Sequence, residues 1–267
     1  MEKPVPRVVA LFRYPLKGFT SESCDKVTVL PTSRVAGDRV MNLRFADAPI
    51  ADDQWCRKYN GVVLANTPAL ARLKTQFDPE QLRLRISLGD QVLVDDDLNA
   101  SGRQRIAGAL TEYVLALEEN PLRGHPERLP LKLVGDGITP RYQDNVAGQV
   151  TLHSRESLAS AAAALGDPGL SELRFRSNIV IEGIGAWEEQ SWVGRKVRIG
   201  AVEFDLVEPK VRCLATHANP VTGERDLQVM QTLVRAFAQD KPTLGVGMLT
   251  HGPGGSITVG EEVKLVD

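Results

Sequence analysis

The chain has few cysteines and lacks any long hydrophobic run. Three cysteines among 267 residues, Cys24, Cys56 and Cys213, are too few and too scattered for a disulfide framework, which predicts a reducing compartment. No apolar run approaches the roughly 20 residues that span a bilayer. The segment from Met1 to Pro6 has no hydrophobic stretch of the signal-peptide type. We therefore expect a cytoplasmic protein that does not contact membranes.

A strong charge of either sign is also missing. The 32 Lys and Arg residues against 34 Asp and Glu residues give a formal net charge of −2. A global basic field for nucleic acid is thereby excluded, although a local basic site is compatible with this balance. With 42% hydrophobic and 25% charged residues, the composition is that of an ordinary globular protein. Nucleic acid is therefore not an expected partner.

Short β-type runs outnumber helical ones. Alternating apolar residues and turn residues predict ten strands, at 7–14, 82–88, 91–94, 131–134, 150–152, 179–181, 197–199, 202–207, 245–250 and 262–266. Helical spacing predicts three helices, at 101–117, at 154–165 with Ser154 as cap, and at 226–239 with Asp226 as cap. This pattern predicts a mostly β fold of barrel or sandwich type. It lacks the alternation of a Rossmann fold, and no P-loop is present. A stretch rich in Pro and Gly follows the first helix, which places a domain boundary near Asn120.

The window from Lys210 to Asp226 carries the most informative residues. A strand-like piece leads to Arg212 and Cys213, and a turn built on Asn-Pro and Thr-Gly pairs follows. Positive charge beside a cysteine favours the thiolate, which suits a nucleophile or a ligand of a soft metal. A buried structural cysteine at a strand end is the alternative from residue types alone. The spacing from Cys213 to His217 also suggests zinc, but no second pair of ligands follows at metal-site spacing.

The pattern R-C-x-x-T-x-x-N-P-x-T-G, from Arg212 to Gly223, resembles the cysteine motif of the MOSC domain family. That family includes the C-terminal domains of molybdenum cofactor sulfurases and the amidoxime-reducing components. Four further segments resemble family motifs in the same order: Tyr14-Pro15-Leu16-Lys17, Gly37-Asp38-Arg39, Phe175-Arg176-Ser177-Asn178-Ile179-Val180, and the tail from Leu244 to Gly260. The resemblance implies an N-terminal β-barrel-like domain over residues 1–120 and a C-terminal MOSC β-barrel over residues 121–267.

A molybdenum cofactor site (Mo-molybdopterin) is what the resemblance implies. Cys213 would ligate the molybdenum and be the catalytic residue. The implied cofactor-binding residues are Lys17, Arg39, Ser154, Arg176, Asn178, Arg212 and Cys213 itself. Arginine offers planar, bidentate donors to a phosphate, and Ser154 begins a helix whose backbone N–H groups point toward an anion. Asn178 would hold the amide edge of the pterin. Pyridoxal phosphate binding is also associated with the family.

The resemblance implies that the protein is an oxidoreductase and that its partner is a small-molecule substrate of the N-hydroxylated or N-oxide type. Because the chain has no ferredoxin-type cysteine cluster, electrons are expected from a separate donor protein of the ferredoxin or flavin-reductase type. Two alternatives stay open. One is a sulfur carrier that holds a persulfide on Cys213 for cofactor or metallocluster maturation, and the other is a non-catalytic protein that binds or transfers the cofactor. Fold and cofactor do not determine the substrate.

Overall fold

The computed structural model describes residues 5–266. This part of the chain has four α-helices: α1 (Ala100–Leu115), α2 (Arg155–Leu165), α3 (Glu188–Ser191) and α4 (Val229–Ala236). Its sixteen strands are β1 (Arg7–Arg13), β2 (Glu22–Cys24), β3 (Lys26–Leu30), β4 (Arg34–Val35), β5 (Asn42–Arg44), β6 (Leu73–Asp78), β7 (Arg83–Leu88), β8 (Gln91–Asp97), β9 (Lys132–Val134), β10 (Val150–Ser154), β11 (Ile179–Glu182), β12 (Lys196–Ile199), β13 (Val202–Val211), β14 (Thr243–His251), β15 (Gly255–Thr258) and β16 (Val263–Val266). The predicted mostly β class is confirmed.

The largest unit is an eight-stranded sheet with the order β16-β12-β13-β14-β10-β11-β1-β2. All neighbours are antiparallel except β10 and β11, which run parallel. Among the described residues, the end strands β16 and β2 do not pair with each other, so the predicted MOSC β-barrel is not closed, although an isolated antiparallel bridge joins Arg7 of β1 to Glu262 just before β16. Strand β3 pairs with β15 and β4 in a separate sheet. The apolar side chains of that sheet join the core of the larger one.

A second core lies mainly in the first half of the chain. It contains residues of β5, of the sheet β6-β7-β8 and of α1, together with residues near Leu16 and Phe19. Strands β1 and β2, however, pair within the same large sheet as the C-terminal strands. The boundary near Asn120 stays a prediction.

All ten predicted strands and all three predicted helices have counterparts among the described residues. Ser154 caps α2 as predicted, because its side chain accepts a hydrogen bond from the Ser157 backbone N–H. The predicted start of the third helix is wrong: α4 begins after Gln228, and the Asp226 carboxylate instead accepts two hydrogen bonds from Arg174, at 2.7 and 2.8 Å. Both bonds come from Nη2 of Arg174, and this charge-assisted contact takes the place of a helix cap.

No helix between residues 5 and 266 is long and apolar enough to cross a membrane. The cytoplasmic location stays a prediction.

Candidate functional site

A cleft opens where β13 ends, and residues of both predicted domains line it. Its empty space, including the opening to solvent, is about 850 Å³. Asp144 is the single carboxylate among its described lining residues. Seven lining residues are cationic: Lys17, Arg39, Lys58, Arg174, Arg176, Lys210 and Arg212. In a chain with a net charge of −2, these side chains concentrate positive charge in the cleft.

Cys213 lines this cleft as a free, partly exposed thiol at the end of β13. Its extended backbone precedes a 3₁₀ turn over Leu214–His217, and its carbonyl accepts hydrogen bonds from the Thr216 N–H and hydroxyl at 3.0 and 2.9 Å. Lys58 lies beside the sulfur. Burial lowers the pKa of Lys58, but the charge of Cys213, with that of Asp144 and a hydrogen bond to Cys213, raises it above its usual value.

Arg212 is buried directly behind Cys213. Its Nε donates to the Leu244 carbonyl at 2.9 Å, its Nη1 donates to the Phe175 carbonyl at 2.5 Å, and its Nη2 also donates to Leu244. Burial lowers the pKa of Arg212 to about 10, so the side chain keeps its charge at neutral pH. These bonds tie the residue before the cysteine to β14 and to the segment that contains Phe175.

Arg39 and Arg176 stack on the ring of Tyr14. Their guanidinium carbons lie 4.7 and 4.4 Å from the ring centroid. Burial, followed by the nearby charge of Arg39, lowers the pKa of Arg176 to about 10. Arg39 is paired with Asp38 at 2.5 Å, whereas Arg176 donates to backbone alone among the described residues, to the Phe19 carbonyl at 2.5 Å. Two cations held this close are stabilised by an anion placed between them.

Both arginines adopt left-handed backbone conformations, with φ of +52° at Arg39 and +54° at Arg176. Such values are uncommon for residues other than glycine and often occur at functional sites.

Lys17 and Lys210 complete the polar lining. Lys17 is buried, and its Nζ lies 3.3 Å from the Cys56 carbonyl and 3.4 Å from the Asp144 carboxylate. The Nζ of Lys210 donates to the Gln149 side-chain carbonyl at 2.5 Å. Burial lowers the pKa of both lysines.

Arg174 stabilises the loop that follows Cys213 and does not present a free charge to the cleft. Besides its two bonds to Asp226, it donates to the carbonyls of Thr216 and His217 at 3.3 and 3.1 Å. Its charge is therefore neutralised within the protein.

Five predicted site residues meet at the cleft, and two do not. Those at the cleft are Lys17, Arg39, Arg176, Arg212 and Cys213. Ser154 is fully buried, where its hydroxyl donates to Glu189 at 3.1 Å. Asn178 accepts from the Thr151 N–H at 3.3 Å and donates to the Phe12 carbonyl and to Asp38 at 3.2 and 3.3 Å, which ties β1, β10 and β11 together. This geometry gives no support to a cofactor contact by Ser154 or Asn178.

Sequence reasoning missed Lys58, Asp144 and Arg174 as members of the site. Lys58 and Asp144 lie in irregular segments that match no motif, and Arg174 stands one residue before the F-R-x-N segment. Lys210 could have been found from the sequence. It lies on β13 two residues before Arg212, which follows the end of the strand, and side chains two positions apart in an extended segment share a face. Within residues 5–266, no group of three or more His, Cys, Asp or Glu side chains is arranged to hold a metal ion.

Comparison with known proteins gives a family match for the C-terminal part of the chain. Residues 139–264 match the family model of the MOSC domain. The mouse (Mus musculus) mitochondrial amidoxime-reducing component 1 is 36% identical over 102 residues, which cover 34% of this chain and 29% of that protein. The Anopheles gambiae molybdenum cofactor sulfurase is 32% identical over 103 residues, covering 35% of this chain and 13% of that protein.

The matched regions thus span less than a third of these relatives. Among solved structures, the YuaD protein from Bacillus subtilis aligns over 98% of this chain and 97% of its own, with 11% identity and a TM-score of 0.42. The match over residues 139–264 contains the motifs around Arg176 and Cys213. Residues 139–264 of the chain therefore match the MOSC domain family, and about a third of the chain is similar to a molybdenum cofactor sulfurase and to an amidoxime-reducing component.

Proposed function

We propose that this chain binds a molybdenum cofactor, with Cys213 as the protein ligand of the metal. One observation carries the proposal: a free, partly exposed cysteine lines a cleft that holds seven cations and one carboxylate. A phosphate-bearing, sulfur-rich group matches both features.

The residues present fit such a group. Among the described residues, Lys58, Arg176 and Arg212 form no ion pair with a carboxylate, and burying an unpaired charge is costly. A cofactor phosphate would supply the missing negative charge. Because the pterin brings two sulfur ligands of its own, a single protein thiolate suffices, and thiolate suits a soft metal.

Each residue then has a stated task. Lys17, Arg39 and Arg176 would hold the phosphate, and Arg212 orients the neighbouring Cys213 through its bonds to two backbone carbonyls. When bound, the cofactor supplies two-electron redox chemistry, while the protein supplies the ligand, the orientation and the positive field.

The activity we propose is the reduction of N-hydroxylated or N-oxide-type substrates. Loss of the oxygen takes two electrons from a separate donor protein of the ferredoxin or flavin-reductase type, takes up two protons and releases water. The support is the name of the mouse relative, an amidoxime-reducing component, together with a cleft open to solvent beside Cys213.

A sulfur carrier is the second candidate. Several curated relatives are named molybdenum cofactor sulfurases, and Cys213 is free and partly exposed, as a persulfide carrier requires. We rank this candidate second, because a persulfide carries no phosphate that could balance the excess of cations in the cleft.

The test is the molybdenum and pterin content of protein produced in a host that makes the cofactor. We expect close to one molybdenum per wild-type chain and loss of the metal in Cys213→Ser, because the substitution removes the ligand. The matched control is Cys24→Ser. Cys24 is also a free, partly exposed cysteine but does not line the cleft, so this variant should keep wild-type content.

Folded wild-type protein with neither molybdenum nor pterin would disprove cofactor binding. A persulfide found on Cys213 by mass spectrometry in such metal-free protein would establish the sulfur carrier instead.

A further inference from the structure

Asp144 occupies an unusual position in the cleft. It is the one acidic side chain among the described lining residues, and its carboxylate lies 3.4 Å from the Nζ of Lys17. The two partners differ in exposure: the side chain of Asp144 is 62% exposed, and that of Lys17 is 4% exposed. The buried cation is therefore fixed, while the carboxylate reaches it from the solvent side.

The surrounding cations converge on this carboxylate. The protein atoms of the cleft walls around the carboxylate work to raise the pKa of Asp144, but Lys17, followed by Lys58, Arg39 and Arg176, lowers it below its usual value. The residues that would hold a bound phosphate are thus the same residues that stabilise the negative charge of Asp144. A carboxylate and a phosphate at this place repel each other.

The backbone is anchored on both sides of Asp144. The Gln143 amide donates to the Asp38 carbonyl at 3.1 Å, and the Gln143 carbonyl accepts from Trp55 at 2.7 Å. Beyond Asp144, the carbonyl of the exposed Val146 accepts from Arg34 at 2.7 Å. Within residues 5–266, the contact with Lys17 is the one ion pair of Asp144. The carboxylate can therefore swing outward by rotation of its side chain, without breaking these backbone anchors.

We propose that Asp144 is an internal competitor for the anion site: its carboxylate holds the cations of the cleft until a phosphate-bearing ligand displaces it. This inference rests on the proposed function for the identity of that ligand. Displacing the Asp144 carboxylate breaks its contact with Lys17, so a ligand with little negative charge binds weakly at this site. A doubly charged phosphate gains more from four cations than a singly charged carboxylate does, and it wins the competition.

The experiment measures binding of inorganic phosphate to metal-free protein by calorimetry at low salt. In Asp144→Asn the side chain keeps its size and loses its charge, and we expect the phosphate Kd to fall about tenfold. Asp52→Asn is the matched control. Asp52 is 64% exposed and lies 3.5 Å from the buried Arg44, but it does not line the cleft. Its variant should bind phosphate within about twofold of wild type.

Two results overturn the inference and leave the proposed anion site intact. An unchanged phosphate Kd in Asp144→Asn would mean that Asp144 does not compete. A weaker affinity would mean that Asp144 orders Lys17 for the ligand. If neither wild type nor Asp144→Asn bound phosphate, the inference would fail together with the phosphate-binding part of the proposed function.

Discussion

Replacing Arg174 with methionine should lower the free energy of unfolding by about 2 to 3 kcal/mol, because two buried carbonyl groups lose their charged donor. Arg174 is buried and makes two bonds to the Asp226 carboxylate, at 2.7 and 2.8 Å. It also satisfies the carbonyls of Thr216 and His217. Methionine fills similar space but leaves the two carbonyls without these donors, whereas the exposed Asp226 carboxylate keeps a hydrogen bond from Asn219 at 2.6 Å. Urea unfolding followed by circular dichroism measures the change.

Arg155→Met is the matched control for this substitution. Arg155 pairs with Glu182 at 3.2 Å, but both side chains are about half exposed, at 48% and 51%. Exposed pairs contribute little, so this variant should change the free energy of unfolding by no more than about 0.5 kcal/mol. An Arg174→Met variant as stable as Arg155→Met would show that the cysteine loop is held by its backbone alone.

The misassigned Asp226 shows why local rules fail in this part of the chain. An aspartate just before an apolar helical stripe is the ordinary signal for a helix cap. In the structure its partner is Arg174, 52 positions earlier in the sequence. A contact at that separation leaves no trace in a local pattern. The capping rule succeeded at Ser154, where donor and acceptor are three residues apart.

The same difference between local and distant contacts explains which strands were predicted from the sequence. The ten predicted runs include longer strands such as β1 and β13, whose alternation is visible in the sequence. The six that escaped prediction are β2 to β6 and β15, and they are only two to six residues long. Such short strands are defined by their pairing partners. Strand β3, for example, pairs with β15, more than 200 residues away.

The site was only partly predictable, because a sequence motif shows which side chains are present but not how the fold arranges them. Motifs located Arg176, Arg212 and Cys213, and the structure brings them to one cleft. They did not reveal Lys58 or Asp144, since loop residues reach the cleft only through the fold. Asn178 shows the opposite error: it lies within a motif, but its amide bonds strands together.

Acidification from pH 7 to pH 5 should cost the folded protein about 2 kcal/mol through His153 alone. His153 is fully buried, and burial, followed by the charges of Arg212 and Arg155, lowers its pKa to about 3. The unfolded chain takes up a proton on this ring near pH 6.5, and the folded chain does not. The stability contribution is therefore complete above pH 6.5 and decreases as the pH falls toward 3. Urea unfolding at pH 5 and pH 7 measures it.

His153→Leu should remove most of this acid sensitivity and should also stabilise the protein at pH 7 by about 1 kcal/mol. Neither ring nitrogen of His153 has a hydrogen-bond partner among the described residues, and an apolar side chain of similar size removes that cost. The control is His125→Leu, because His125 is 47% exposed and pairs with Glu127 at 2.8 Å. The control variant should keep the acid-induced loss. A His153→Leu variant with the pH dependence of wild type would show that the ring is protonated in the folded state or that other groups dominate. His217, whose pKa burial also lowers, is the first such group to replace next.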